Sequence, residues 1–219
     1  MTEDQIRQQG EARKARSIAR LRREGVPTIE HLPRIECDPA TIQDLEAIAH
    51  RTMVIALLAV YAEPDGMPIE VLEQYLDLRG VRQDLTKKGR AFVATTNPPD
   101  ELRGAFTWQY ECANVLLWAL GYVHTLGSPT TLCTAQGVSA IVAPRSLVQL
   151  MGGATSRSAD EIFEECDLIF RYHCAARQAY LTGQKPPAGL ITPLCFYRHY
   201  ALNWLVDRTA DWDDVDTST

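Results

Sequence analysis

Apolar residues recur at helical spacing along most of this chain, and no stretch sustains the alternation expected of a strand. Residues 2–24 open on a Thr2-x-x-Gln5 capping-box pattern and stop at Gly25, with Pro27 beyond. That helix carries only a thin apolar stripe, Ile6, Ala15, Ile18 and Ala19, so it is expected to lean on the body of the protein rather than nucleate it. Residues 26–33 hold two prolines and no helical period, which predicts an extended surface run. Thr41-x-x-Asp44 then opens a helix to about residue 62, with Leu45, Ile48, Ala49, Thr52, Ile55, Ala56 and Ala59 as its core face. Shorter helices are predicted over about 68–78 and 86–95. Asn97-Pro98-Pro99 separates these from one long apolar helix over about 100–122, on which Trp108, Glu111, Val115, Trp118 and Ala119 share a broad face.

Further helices are expected over about 135–142 and from Pro144 to Gly152. Ser158-x-x-Glu161 is a capping box for a long helix to about residue 182, stopped by Gly183, and Thr192-Pro193 opens the last helix. The fold class that follows is all-α: a compact single-domain bundle of about eight to nine helices over residues 1–219. An extended Pro-rich segment follows the first helix, and 208–219 form an acidic tail.

The last helix has no clearly polar side. Leu194, Ala201 and Leu205 form one stripe with Arg198 inside it, while Phe196, His199 and Asn203 share the opposite side. A helix apolar all round is wrapped by others, so its polar groups need partners inside or at a cleft wall. In the long helix from Ser158, the series Ile162, Cys166, Ile169, His173, Ala176 and Tyr180 puts His173 on the inner face, with Arg177 one turn along. Together Glu111, His173, Arg177, Arg198, His199 and Asn203 form a candidate interior cluster. It fits two arrangements: a cleft in which Glu111 or His173 acts as acid or base while arginines hold an anion, or a satisfied ion network with Glu111 neutralising Arg198 or Arg177.

Charge is unevenly placed. Residues 1–24 hold seven basic and four acidic residues, against 15 basic and 24 acidic in the rest. A basic helix on an acidic body could reach for nucleic acid, but the body would repel phosphate, so docking of the helix on its own protein is the expectation and nucleic acid is disfavoured as a partner. The polar amino terminus shows no signal peptide, and the longest apolar runs, 53–62 and 112–123, fall short of the ~20 residues a membrane span needs, which points to a cytoplasmic protein without a membrane partner. Six cysteines lie singly, as reduced thiols packing like small hydrophobes do.

Other patterns carry little chemistry. Cys195 and His199 stand four apart on a helix, a spacing that can hold a metal, and His173 adjoins Cys174 on another, but structural zinc sites bring close ligand pairs from loops, so packed thiols beside core histidines are expected, and no third group orients Cys195 as a nucleophile. Gly152-Gly153 lacks a Walker lysine, and the acidic run from Asp211 to Asp216 lacks the glycine and glutamate of an EF-hand, which leaves a solvated tail anchored by Trp212. No metal and no cofactor is therefore expected.

Several segments together resemble the bacterial domain-of-unknown-function family 4272. They are Arg13-Lys14-x-Arg16-Ser17-x-x-x-Leu21, Gly25-Val26-Pro27 and His31-Leu32-Pro33; Trp108-x-Tyr110-Glu111 with the run from Val115 to Gly121; and Arg171-Tyr172-His173 with Pro187-Ala188-Gly189-Leu190. Arg198-x-x-Ala201-Leu202-Asn203-Trp204-Leu205 and Trp212-Asp213-Asp214-Val215 complete the set. The order and spacing cover nearly the whole chain, except that 138–155 match no family pattern. The resemblance implies a helical fold in which the basic first helix is a standard part and Glu111, His173, Arg198 and Asn203 are positions often filled this way; it supplies no activity or cofactor. The resulting expectation is a binding or interaction domain without identifiable catalytic machinery. The alternative is a small enzyme or ligand sensor whose interior Glu/His/Arg cluster holds a small anion, and a protein partner is equally compatible with the sequence.

Overall fold

The computed structural model describes residues 3–36 and 38–219. Among them are ten α-helices and no strand: α1 (Glu3–Arg23), α2 (Leu45–Ala62), α3 (Ile69–Leu78), α4 (Lys87–Ala94), α5 (Asp100–Thr107), α6 (Gln109–Ala119), α7 (Ala135–Val142), α8 (Leu147–Gly152), α9 (Ala159–Leu181) and α10 (Thr192–Val206). Single 3-10 turns lie at Pro39–Thr41, Arg82–Asp84, Pro187–Gly189 and Trp212–Asp214. The Thr2 half of the expected first capping box lies outside the described residues.

Local chemistry sets most boundaries. Ser158 and Glu161 make the reciprocal capping box at α9, and Ser146 with Gln149 makes another that starts α8 at Leu147, later than Pro144 suggested. Asp44 caps α2 by accepting the Ala47 N–H at 2.8 Å, while Thr41 closes the preceding 3-10 turn instead of opening the helix. The expected 100–122 helix is two helices meeting at Trp108, which brings the count to ten. Gly104 lowers helix propensity there, and the Thr107 hydroxyl bonds back to the Arg103 carbonyl at 3.0 Å, which bends a helix locally. The far end closes at Gly121, where φ is +86° and an added Cβ would collide with the Thr155 carbonyl; only glycine fits this approach.

The helices stack in the order α1, α9, α10, α6, α2, with α3 and α8 packed on α2 and with α5 and α7 packed on both α2 and α6. Helix α2 is buried almost all round, including Ile48, Ala49, Thr52, Ile55, Ala56 and Ala59 of the expected core face; Leu45, at its first turn, is exposed. By length and composition α2 is long and apolar enough to cross a membrane, although its longest uninterrupted apolar run is not. Here its apolar surface is covered by α6, α5 and α3.

Helix α1 docks on α9, but not through the stripe read from its sequence. Ala15 and Ala19 are exposed, and the buried positions are Gly10, Arg13, Ser17 and Leu21. The seam is largely polar. The Arg13 guanidinium lies 5.3 Å from the centre of the Phe163 ring and donates to the Ile35 carbonyl, Arg16 pairs with Glu164, and the Tyr172 hydroxyl donates to Glu24. The extended run after α1 is tied down by Lys14, which donates to the Glu30 and Leu32 carbonyls, and by Arg171, which donates to the Pro33 carbonyl. Arg171 is itself held by both oxygens of Asp167 at 2.8 Å, a buried bidentate pair one turn apart on α9 that the sequence reading did not single out. Leu21 is the fully buried apolar anchor of α1. Leu21→Ala is expected to cost about 2–3 kcal/mol in urea unfolding, the low end for a buried leucine because an outer helix can settle into the gap. Ala15→Ser should leave the midpoint unchanged; equal losses at the two positions would reverse the assignment of the docked face.

Candidate functional site

The six expected site residues do not form one cluster. Helix packing divides them into two groups on opposite sides of α10.

The first group is Glu111 and Arg198, brought face to face by the packing of α6 on α10. Both are buried, with the Arg198 Nε 3.6 Å from the Glu111 Oε2. That distance makes an ion pair without a hydrogen bond, and these two facing atoms have no hydrogen-bond partner among the described residues. The remaining groups are well held. Glu111 Oε1 accepts the Cys133 backbone N–H at 2.6 Å, and Arg198 donates to the Leu126 carbonyl at 2.9 Å and the Gly127 carbonyl at 3.1 Å. Arg198 is thus enclosed by a carboxylate and the 126–127 backbone, so it serves as a strut under that loop. Cys133 is a neighbour that sequence reading passed over. Burial and the Glu111 carboxylate push its thiol up to about 12, which keeps it protonated near neutral pH.

The second group is His173 and His199, on α9 and α10. Their Nδ1 atoms lie 2.9 Å apart, and both rings are buried, with Phe170 and Phe196 against them. One ring must donate Nδ1–H while the other accepts, so the pair exists only when at least one imidazole is neutral. Burial, with the Arg177 cation nearby, pushes His173 down to about 4. Burial and His173 push His199 down to about 3, against the pull of Asp216. Arg177, one turn along α9 from His173 and about 40° round from it, is exposed rather than interior and donates to Thr219. Asn203 donates to the Asp216 carbonyl at 2.7 Å. These two residues therefore hold the carboxy-terminal segment, and His173, Arg177, Phe196 and residues 214–218 border a polar cleft of about 680 Å³ beneath it. Tyr180, expected on the inner face of α9, is exposed in the last turn of that helix. Cys195, the sequence candidate for a nucleophile, is buried and pushed up to about 12 by that burial.

A different site lies on the other flank of α10. Helices α2, α4, α5, α6 and α10 and the turn Trp212–Asp214 enclose a cavity of about 390 Å³, within the size range of small-molecule pockets. Its walls are aromatic: Phe92, Phe106, Phe196, Tyr197, Tyr200 and Trp212. Phe92 and Phe106 stack at 3.9 Å, and Trp212 stands edge-on to Tyr200 and Trp204. The Tyr200 hydroxyl donates to the Trp212 carbonyl and fixes the closing turn. Two polar side chains in the wall are unsatisfied. Arg51 Nε and Gln109 Oε1 are both buried with no hydrogen-bond partner among the described residues.

Arg51 is a cation without a direct ion pair. It donates to the Asp84 carbonyl at 3.2 Å and lies 5.4 Å from the Trp212 ring centre, but among the described residues no carboxylate sits at ion-pair distance. The three nearby carboxylates have other hydrogen-bond partners: Asp84 has His50 Nδ1 at 2.6 Å, Asp213 accepts the Lys88 backbone N–H at 2.7 Å in the first turn of α4, and Asp211 accepts the Asp213 backbone N–H at 2.9 Å. Burial pushes Arg51 below the ordinary guanidinium value, against Asp84, Asp213 and Asp211. The lining residues exposed to solvent are Lys88, Ala91 and Ala105, so the mouth opens between α4 and α5 past two small side chains. A charge embedded in the apolar series of α2 is the same signal that singled out Arg198, and it could have drawn notice to Arg51.

Neither the curated proteins nor the solved structures contain a match to this chain. A family match does exist, and it runs over residues 13–215, from the buried Arg13 of α1 to the segment just after Trp212. This covers nearly all of the fold described above, and the chain belongs to that family, Domain of unknown function (DUF4272).

Proposed function

We propose that this protein is a binding domain that takes a small organic molecule into the aromatic cavity beside α10. The observation that carries the reading is the pair of buried, unsatisfied polar atoms, Arg51 Nε and Gln109 Oε1, in the wall of an otherwise apolar pocket. Each orphaned group costs about 1–3 kcal/mol, more for a charge, and a ligand supplying one acceptor and one donor recovers that cost. The interior cluster expected from the sequence is the poorer candidate. Arg198 Nε and Glu111 Oε2 also lack hydrogen-bond partners among the described residues, but they stand 3.6 Å apart as opposite charges and face each other, and His173 and His199 are spent on each other. Burial keeps the thiols of Cys112, Cys133, Cys174 and Cys195 protonated, which favours binding over covalent chemistry at those positions.

The test is a thermal-shift screen of single- and double-ring organic molecules against the wild type and Ala105→Trp. Position 105 is solvent-exposed at the mouth, so the indole should block entry without disturbing the core. The expected result is a set of compounds that raise the melting temperature of the wild type and not of Ala105→Trp. Compounds that stabilise both proteins equally, or an empty screen, would remove the cavity as the functional site.

A further inference from the structure

Resting on the reading of this cavity as a ligand site, we propose that its ligand is a small aromatic carboxylate that also carries one hydrogen-bond donor, with the acid group on Arg51 and the donor on Gln109. The chemistry follows from what the wall lacks. Arg51 offers an N–H fork whose Nε is buried and unused, while the neighbouring carboxylates of Asp84, Asp213 and Asp211 have other hydrogen-bond partners. Lys88 adds a second cation at the mouth, its ammonium held 2.5 Å from the Asp213 carbonyl. What is missing is an acceptor for the Arg51 Nε–H, and a carboxylate meets a guanidinium edge with two parallel bonds where a neutral carbonyl makes one. A ligand without an acceptor would leave that Nε–H unused, and an amine would face the guanidinium directly.

Gln109 sets the second requirement. An amide oxygen only accepts, so its buried, empty Oε1 calls for an O–H or N–H on the ligand. Between these two groups the lining is ring upon ring, and an aromatic body packs edge-to-face against Tyr197, Tyr200 and Phe196 while filling space a flexible acyl chain would pay more entropy to occupy. The cavity volume suits one or two rings.

Calorimetric titration of the purified wild type with 2-, 3- and 4-hydroxyphenylacetate, their amides, unsubstituted phenylacetate and tyramine separates the terms. At least one hydroxyphenylacetate is expected to bind about tenfold or more tightly than its amide, as a charge-assisted bond implies, and tyramine is expected not to bind. Arg51→Met should erase the preference of acid over amide while the amide still binds. Gln109→Leu should erase the preference of that hydroxyphenylacetate over phenylacetate. Arg51→Lys keeps the charge without the fork, so it should lose part of the acid preference and serves if the methionine variant does not fold. Equal affinity for acid and amide, a preference for tyramine, or an acid preference untouched in the arginine variants would overturn the proposal. Failure of every hydroxyphenylacetate, while other compounds still stabilise the wild type and not Ala105→Trp, would overturn the ligand class and leave the cavity standing. An empty thermal-shift screen would end both readings.

Discussion

Glu111→Ala is expected to lower the unfolding free energy by ~3–5 kcal/mol, seen as a fall in the urea midpoint with little change in slope. The variant strands the Arg198 guanidinium in a buried position and also removes the acceptor of the Cys133 N–H, so two groups lose their compensation at once. The carbonyls of Leu126 and Gly127 remain but carry no charge. Glu111→Gln keeps an acceptor for Cys133 and should cost less. Replacing Glu111 and Arg198 together by leucine and methionine should recover much of the loss, since apolar residues of similar volume often match a buried ion pair. A midpoint unchanged in Glu111→Ala would mean that the pair does not support the packing of α6 on α10.

The second large effect is a dependence on pH that sets in well above the carboxylate range. His173 at about 4 and His199 at about 3 both lie below the unfolded value of about 6.5, so between these limits the unfolded chain binds more protons than the folded one. Stability is therefore full above about 6.5 and falls as pH drops, by up to about 1.4 kcal/mol per pH unit for each imidazole. Arg177, near His173, steepens the effect and Asp216, near His199, opposes it. Urea unfolding at pH 7, 6 and 5 should show the midpoint falling in the wild type and staying nearly level in His173→Gln/His199→Gln. A parallel fall in the double variant would assign the slope to other groups.

Helix positions were largely readable from the sequence because caps and apolar period act within a few residues. Ser158 with Glu161, Asp44, Thr86 and the glycine stops each report on their own helix end. The break at Trp108 was not readable, since it comes from Gly104 and the Thr107 hydroxyl, which only weaken a helix that apolar spacing continues through. The docked face of α1 was misread for a related reason. A search for apolar stripes finds Ala15, Ile18 and Ala19 and passes over a seam built from Gly10, Arg13 and Ser17 with a single leucine.

The candidate cluster failed at a higher level. A helical wheel gives the direction of Glu111 or His173 about its own axis, not which neighbour it will meet. Packing of α6 on α10 joins Glu111 to Arg198, packing of α9 on α10 joins His173 to His199, and Arg177 turns out to solvent. The cavity asks still more, because five helices and the turn Trp212–Asp214 must assemble before Arg51 and Gln109 share a wall. What the sequence did hold was the anomaly itself: charged and amide side chains placed where burial is costly.

The central claim is that the cavity beside α10 is where a small molecule binds, and intermolecular contacts measured by NMR on methyl-labelled protein test it most directly. With the tightest hydroxyphenylacetate at saturation, cross-peaks from its ring protons are predicted to the methyls of Ile55, Leu58 and Leu102, and these should vanish in Ala105→Trp. Cross-peaks to methyls outside this wall, such as those of Leu132 beside Glu111, or no cross-peak to the three named residues at saturation, would contradict it.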